Sequence, residues 1–155
     1  MLWHLALRSD CDRNVTIYPY VELGMMEFMR ELQWQCYNKH QLSVYEKDGV
    51  LIYRYGVENQ PKPDETPLVY FASDAPAAGF DCDRDEFVGS YRSEEAPIGL
   101  EHEHLKNSTL FGGDPCFALE LPLTLRAGET KSLNIYLGTE MTESEISKSH
   151  AACKV

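Results

Sequence analysis

Asp81, Asp83 and Asp85 alternate around Cys82 and Arg84. A calcium loop opens this way, because every second side chain turns toward the ion. The continuation departs from that pattern. Glu86 stands at the sixth position, where the sharp turn needs Gly, and Arg92 at the twelfth, where a bidentate Glu is needed. The competing reading is structural: Arg84 forms an ion pair with its neighbours Asp83 and Asp85, since a guanidinium fork suits carboxylates. His102-Glu103-His104 presents two imidazoles, and two ligands do not complete a metal site. A Ser73, His102 and Asp114 triad can be written, but no nucleophile elbow supports it. The expectation is therefore no catalytic residue, no metal and no cofactor. The remaining chemistry lies in Trp34, Gln35, Tyr37, Asn38, Lys39 and His40. Rings stack on the C–H faces of a sugar, and amides and charges meet its hydroxyls. A partly buried linker between a helix and a hairpin has the same composition.

These residues sit among elements that read mainly as strands. Leu42–Tyr45 and Val50–Tyr55 flank Glu46-Lys47-Asp48-Gly49, and Asp-Gly at a tight turn predicts a hairpin. Phe117, Leu119, Leu121, Leu123 and Leu125 alternate with other residues, the signature of a half-buried strand. Pro122 lacks an N–H and predicts a free side there. Leu133, Ile135 and Leu137 follow the Ala127-Gly128-Glu129 turn, and the two runs read as a second hairpin. Val15–Tyr18, Leu68–Ala72 and, more weakly, Leu2–Leu7 add strands. From Glu22 to Gln35, Met25, Met26, Phe28, Met29 and Leu32 recur with helical spacing. Pro61, Pro63 and Pro67 mark an extended connection. The expected class is an all-β antiparallel sandwich with one short helix. Residues 1–139 form a partial sandwich domain, and 140–155 a polar tail or the start of a linker.

Composition narrows the partners. The 155 residues carry 14 Lys and Arg against 25 Asp and Glu, a net charge of −11. That sign disfavours nucleic acid and anionic membrane surfaces, and no apolar run is long enough to span a bilayer. The N-terminus lacks the basic and apolar regions of a secretory signal. The five cysteines are odd in number and hold no C-x-x-C pair, which predicts free thiols in a reducing cytoplasm.

Several motifs occur in a fixed order: Tyr18-Pro19-Tyr20-Val21-Glu22, Phe71-Ala72-Ser73-Asp74, and Gly79-Phe80-Asp81-Cys82-Asp83-Arg84-Asp85-Glu86-Phe87-Val88-Gly89. Asn107-Ser108, Gly113-Asp114-Pro115-Cys116, Arg126–Thr130 and Leu137-Gly138 follow. This series resembles glycoside hydrolase family 94, formerly glycosyltransferase family 36, the inverting β-glucoside phosphorylases of the cellobiose and cellodextrin type. The resemblance covers roughly residues 15 to 138, and an ordered series is more specific than any one piece. It implies part of a supersandwich of the galactose-mutarotase type. The catalytic acid and phosphate site belong to an (α/α) barrel that this stretch does not match. It further implies a homo-oligomer, β-linked glucosides handled by the parent enzyme, and a sugar-site loop at Trp34–His40. An independent carbohydrate-binding module and a small metal-dependent enzyme are the alternative expectations.

Overall fold

Alternating apolar residues build two facing antiparallel sheets in the computed structural model, which describes residues 1–24, 39–56 and 66–154. The order is β1 (Leu2–Arg8), β2 (Arg13–Ile17), β3 (Tyr20–Glu22), β4 (Leu42–Lys47), β5 (Val50–Tyr55), β6 (Leu68–Ser73) and β7 (Gly79–Asp83). Then come α1 (Arg84–Phe87), a 3-10 turn (Ile98–Glu101), β8 (Leu110–Phe111), β9 (Pro115–Leu125), β10 (Thr130–Glu140) and α2 (Glu143–Cys153). One sheet runs β1-β10-β6-β5-β4-β8, and the other is built on β9, which pairs with β2, β3 and β7. The all-β sandwich is therefore observed. The segment expected to be a short helix falls from residue 25 onward outside the described residues, as do Pro61 and Pro63.

The β4–β5 hairpin forms as its sequence demands. Lys47 pairs with Val50, and Asp48 and Gly49 take φ of 54° and 82°. Those two positive values are what a two-residue primed turn requires.

The second expected hairpin does not form. β9 and β10 lie in different sheets, so the turn between them crosses the sandwich. Alternation shows that one face of a strand is apolar, and it does not say which strand lies alongside. The neighbouring crossing from β1 to β2 is tied to this one: Gly128 donates to the Ser9 carbonyl at 2.8 Å, and Ala127 to Asp12 Oδ1 at 2.8 Å.

β9 is not half-buried either, since every residue from Cys116 to Leu121 is buried. Phe117, Leu119 and Leu121 face the core between the sheets with Phe71, Leu133 and Ile135. The rings of Phe71 and Phe117 stack 5.7 Å apart, nearly parallel at 2°. Cys116 and Ala118 face the other way, beneath Phe87, Val88 and Leu105. The strand pairs with β3 and β7 over the same residues, so these two lie on opposite edges of it. At Pro122 only β2 remains alongside, which agrees with the missing donor.

The polar tail expected after residue 139 is a helix. Thr142 and Glu145 form a capping box at the start of α2. Ile146 packs on Val50, Ile52, Leu68, Tyr70, Ala72 and Tyr136. Glu143 accepts from Tyr45 at 2.7 Å and Lys47 at 2.6 Å. Only Ile146 and His150 are buried along the helix, so the sequence carries no apolar stripe to reveal it.

Beneath α2, β10 comes so close to Tyr70 that a Cβ on Gly138 would meet the Tyr70 ring at 2.6 Å. Gly138→Ala should therefore lower stability by about 1–3 kcal/mol through overpacking, with the midpoint of urea unfolding as the readout.

Candidate functional site

The run Gly112-Gly113-Asp114-Pro115 connects β8 to β9, and both ends of the 25–38 segment are fastened to it. On the far side, Gly113 donates to the Lys39 carbonyl at 2.9 Å and Gly112 to the Leu42 carbonyl at 3.0 Å. The Lys39 ammonium forms an ion pair with Asp114. On the near side, Leu23 donates to the Pro115 carbonyl at 3.4 Å. The glycines are needed here: Gly112 has φ +78°, and a Cβ on it would stand 2.9 Å from the Lys39 carbonyl oxygen. Backbone cannot yield as a side chain can, so any larger residue would open the junction.

Arg84 reinforces the near side. Its Nε donates to Glu22 Oε1 at 2.7 Å, and its guanidinium also lies 3.9 Å from Glu94. The Tyr20 hydroxyl donates to the same Glu22 oxygen at 2.7 Å. That bond, with Arg84 behind it, holds the Glu22 carboxyl below its ordinary value. Tyr20 is itself fixed by stacking on Phe87 at 5.0 Å and 22°. Arg84 donates its backbone N–H to the Asp114 carbonyl at 3.0 Å. The guanidinium and the Gly-Gly run thus belong to one junction.

The sequence expectation for this ion pair needs correcting. Arg84 binds Glu22 and Glu94 rather than Asp83 and Asp85. Asp83 caps α1, accepting the Asp85 N–H at 2.9 Å, and that geometry turns it toward the helix start. Lys39 is half-buried in its pair with Asp114, and His40 is exposed beside Gly112. Trp34, Gln35, Tyr37 and Asn38 lie outside the described residues.

A second polar cluster secures the layer above β9. Glu120 is only 3% exposed. Its carboxylate accepts from His104 Nδ1 at 2.9 Å and from the Leu105 N–H at 3.0 Å. Donating this hydrogen bond to the Glu120 carboxylate raises the His104 pKa above its ordinary 6.5. Asp81, 1% exposed, accepts the Ser108 N–H at 3.1 Å, and burial raises its carboxyl. Sequence reading missed Glu22 and Glu120, and named Asp114 only for a triad, not for its pair with Lys39. Glu120 falls on the polar side of an alternating run, which ordinarily means solvent. The small residues Cys116 and Ala118 on that side were the signal that something packs there.

Two aspartates of the calcium-like run have separate tasks, Asp81 at the Ser108 N–H and Asp83 at the start of α1. Among the described residues no three His, Cys, Asp or Glu side chains gather where a metal could sit. Ser73, His102 and Asp114 do not act together: Ser73 Oγ donates to the Asn134 carbonyl at 3.0 Å, and Asp114 holds Lys39.

The family model described as glycosyl hydrolase 94, supersandwich domain, matches residues 2–154. The N,N'-diacetylchitobiose phosphorylase of Vibrio furnissii is 28% identical, over 88% of this chain and 17% of its own. That of Vibrio proteolyticus is 24% identical, over 96% of this chain and 18% of its own. The cyclic beta-(1,2)-glucan synthase of Rhizobium meliloti (strain 1021) is 36% identical, over 84% of this chain and 4% of its own. The chain spans less than a fifth of the length of these relatives.

Two outcomes follow from the geometry. The Arg84 side chain is 27% exposed and Glu22 47%, so solvent screens the pair. Arg84→Ala should cost about 1 kcal/mol, well under the 3–5 kcal/mol or so of a fully buried pair. An unchanged melting temperature would remove Arg84 from the junction. The His104 pair gives a pH dependence. Its folded pKa is raised, so its contribution is complete below pH 6.5 and fades as pH rises through the folded value. The stability difference between the native chain and Glu120→Gln should shrink toward alkaline pH in urea titrations; a constant difference would show that His104 carries no charge in the fold.

Proposed function

Because the chain belongs to the glycosyl hydrolase 94 supersandwich domain family, we propose that it is the non-catalytic sandwich of an inverting β-glucoside phosphorylase. In that role it helps assemble a homodimer and shapes a sugar site through Trp34–His40, while the bond-breaking groups stand on a separate barrel. The observation that carries this reading is the double fastening of the 25–38 segment. Its two ends are bound by Gly112–Pro115 and by Arg84 through backbone and charged contacts. A segment closed at its base loses less conformational freedom when it meets a ligand. A positioning element in a sugar site needs that property. Lys39 is neutralised by Asp114, so it offers no spare cation to a phosphate.

Two chitobiose phosphorylases among the relatives favour a β-linked disaccharide as the parent's substrate. A cytoplasmic setting is consistent with free Cys82 and Cys116, which are buried, and free Cys11 and Cys153, which are exposed. Burial pushes the Cys82 thiol up to about 12 and leaves it unreactive.

The test is calorimetry with cellobiose, N,N'-diacetylchitobiose and glucose, with and without inorganic phosphate, alongside an assay for sugar 1-phosphate. The expected result is no turnover and binding too weak to saturate. Phosphorolysis by the purified chain would refute the non-catalytic role. Tight saturable binding of one sugar would instead favour an independent carbohydrate-binding module.

A further inference from the structure

From the way α2 is seated, we infer that it is a proton-released cover: it closes the outer face of the large sheet while His150 is neutral and lifts away when His150 takes up a proton. The device is separate from the assembly and sugar-site roles and depends on neither. Every residue of β6 is buried. Val69 and Phe71 face the space between the sheets, while Leu68, Tyr70 and Ala72 face the other way, under Ile146. The cover is lightly held, because Ile146 and His150 are the buried residues of the whole helix. Segments with so few buried contacts open at lower cost than the fold as a whole.

His150 is 6% exposed. Its Nδ1 shares a hydrogen bond with the Tyr136 hydroxyl on β10, in which a neutral imidazole can accept the phenol proton. The two rings stand 5.8 Å apart, tilted by 44°. Nε2 is buried without a hydrogen-bond partner among the described residues. The β4–β5 turn closes over it, and a Cβ on Gly49 would lie 3.9 Å away. A proton on Nδ1 makes that atom a donor, so the phenol must turn to accept. The ring then carries a charge in a dry place, and the acids around α2 are committed elsewhere. Glu140 of β10 accepts from Ser149 at 2.6 Å. Glu143 holds Tyr45 and Lys47 of β4 and Arg54 of β5. Asp48 in the turn is exposed, as is Lys148 on α2, and Tyr70 of β6 is a neutral phenol. Burial, and then the Lys154 ammonium one turn on, lower the His150 pKa from its ordinary 6.5. Lifting the helix returns the ring to water and to that ordinary value. Seating is therefore complete above pH 6.5 and weakens as pH falls below it. Glu143 acts in a lower range: Lys47 and Tyr45 hold its carboxyl below 4.5, so its grip persists through the His150 window. His104, whose pKa is raised, responds in the opposite sense.

Hydrogen–deuterium exchange of the purified chain at pH 7.5 and 5.5 tests this, with rates corrected for the intrinsic effect of pH. Protection of residues 143–153 should fall by up to about tenfold, since one pH unit below the free value is one decade of protonation. Protection of β9 should not fall. The His150 ring, followed by NMR, should titrate below 6.5. His150→Gln keeps an acceptor for Tyr136 without a titrating group and should remove the pH dependence. Glu143→Gln should loosen α2 at both pH values and leave the fall intact. Equal protection of α2 at the two pH values overturns the inference. So does a fall shared by α2 and β9, which would be unfolding of the whole domain, and so does a pH dependence that survives His150→Gln. A His150 midpoint at or above 6.5 overturns it even where His150→Gln fails to seat the helix.

Discussion

The structure depends on one strand being dry on both faces. β9 contributes Phe117, Leu119 and Leu121 to the space between the sheets, and Cys116, Ala118 and Glu120 to the layer outside. A carboxylate so placed is tolerable only with donors that repay its lost hydration. His104 and the Leu105 N–H supply them. The loop between α1 and β8 is thereby tied to the sheet by a charge as well as by Phe87 and Val88. Without that covering, Cys116, Ala118 and Glu120 would face solvent beside the junction where β9 begins.

That junction links fold to function. β9 starts at Pro115, directly after the Gly-Gly-Asp run that receives Lys39 and the backbone of Arg84. Chain segments far apart in sequence, near residues 22, 39, 84 and 114, meet there. The arrangement resembles a hinge pin more than an active site: its ion pairs hold backbone together and offer no group poised for proton transfer.

Much of this was legible in the residues. Period-two alternation located β9 and β10, runs of β-forming residues located β2, β4, β5, β6 and more weakly β1, and the Asp48-Gly49 turn came with the right register. The ordered motifs pointed to the family, and the structure gathers most of them on and around the β9 sheet. Asn107 accepts the Phe80 N–H, Ser108 accepts the Cys82 N–H, and Arg84 donates to Asp114. Other features had no local signal. The partner of a strand is chosen by tertiary packing, so β9 and β10 looked like a hairpin and are not one. A helix with two buried residues shows no stripe, and α2 was missed. Arg84 stands between two aspartates and pairs instead with Glu22 and Glu94, while Asp83 is engaged in capping α1. Sequence neighbours compete poorly with a partner 62 residues away when the backbone already serves another purpose.

The register of β1 against β10 also bears on how the molecule comes to be made. Leu2 pairs with Tyr136 and Arg8 with Thr130, so residues 2–8 must wait for residues 130–136 to be made before this ladder can close. Contacts spanning that much chain close slowly, and vectorial synthesis cannot shorten the wait. Until residue 136 is threaded out, Leu2, Trp3, Leu5 and Leu7 lack the shelter that β10 gives them. Nascent-chain holding, or capture by a neighbouring polysome's product, would be decided in that interval.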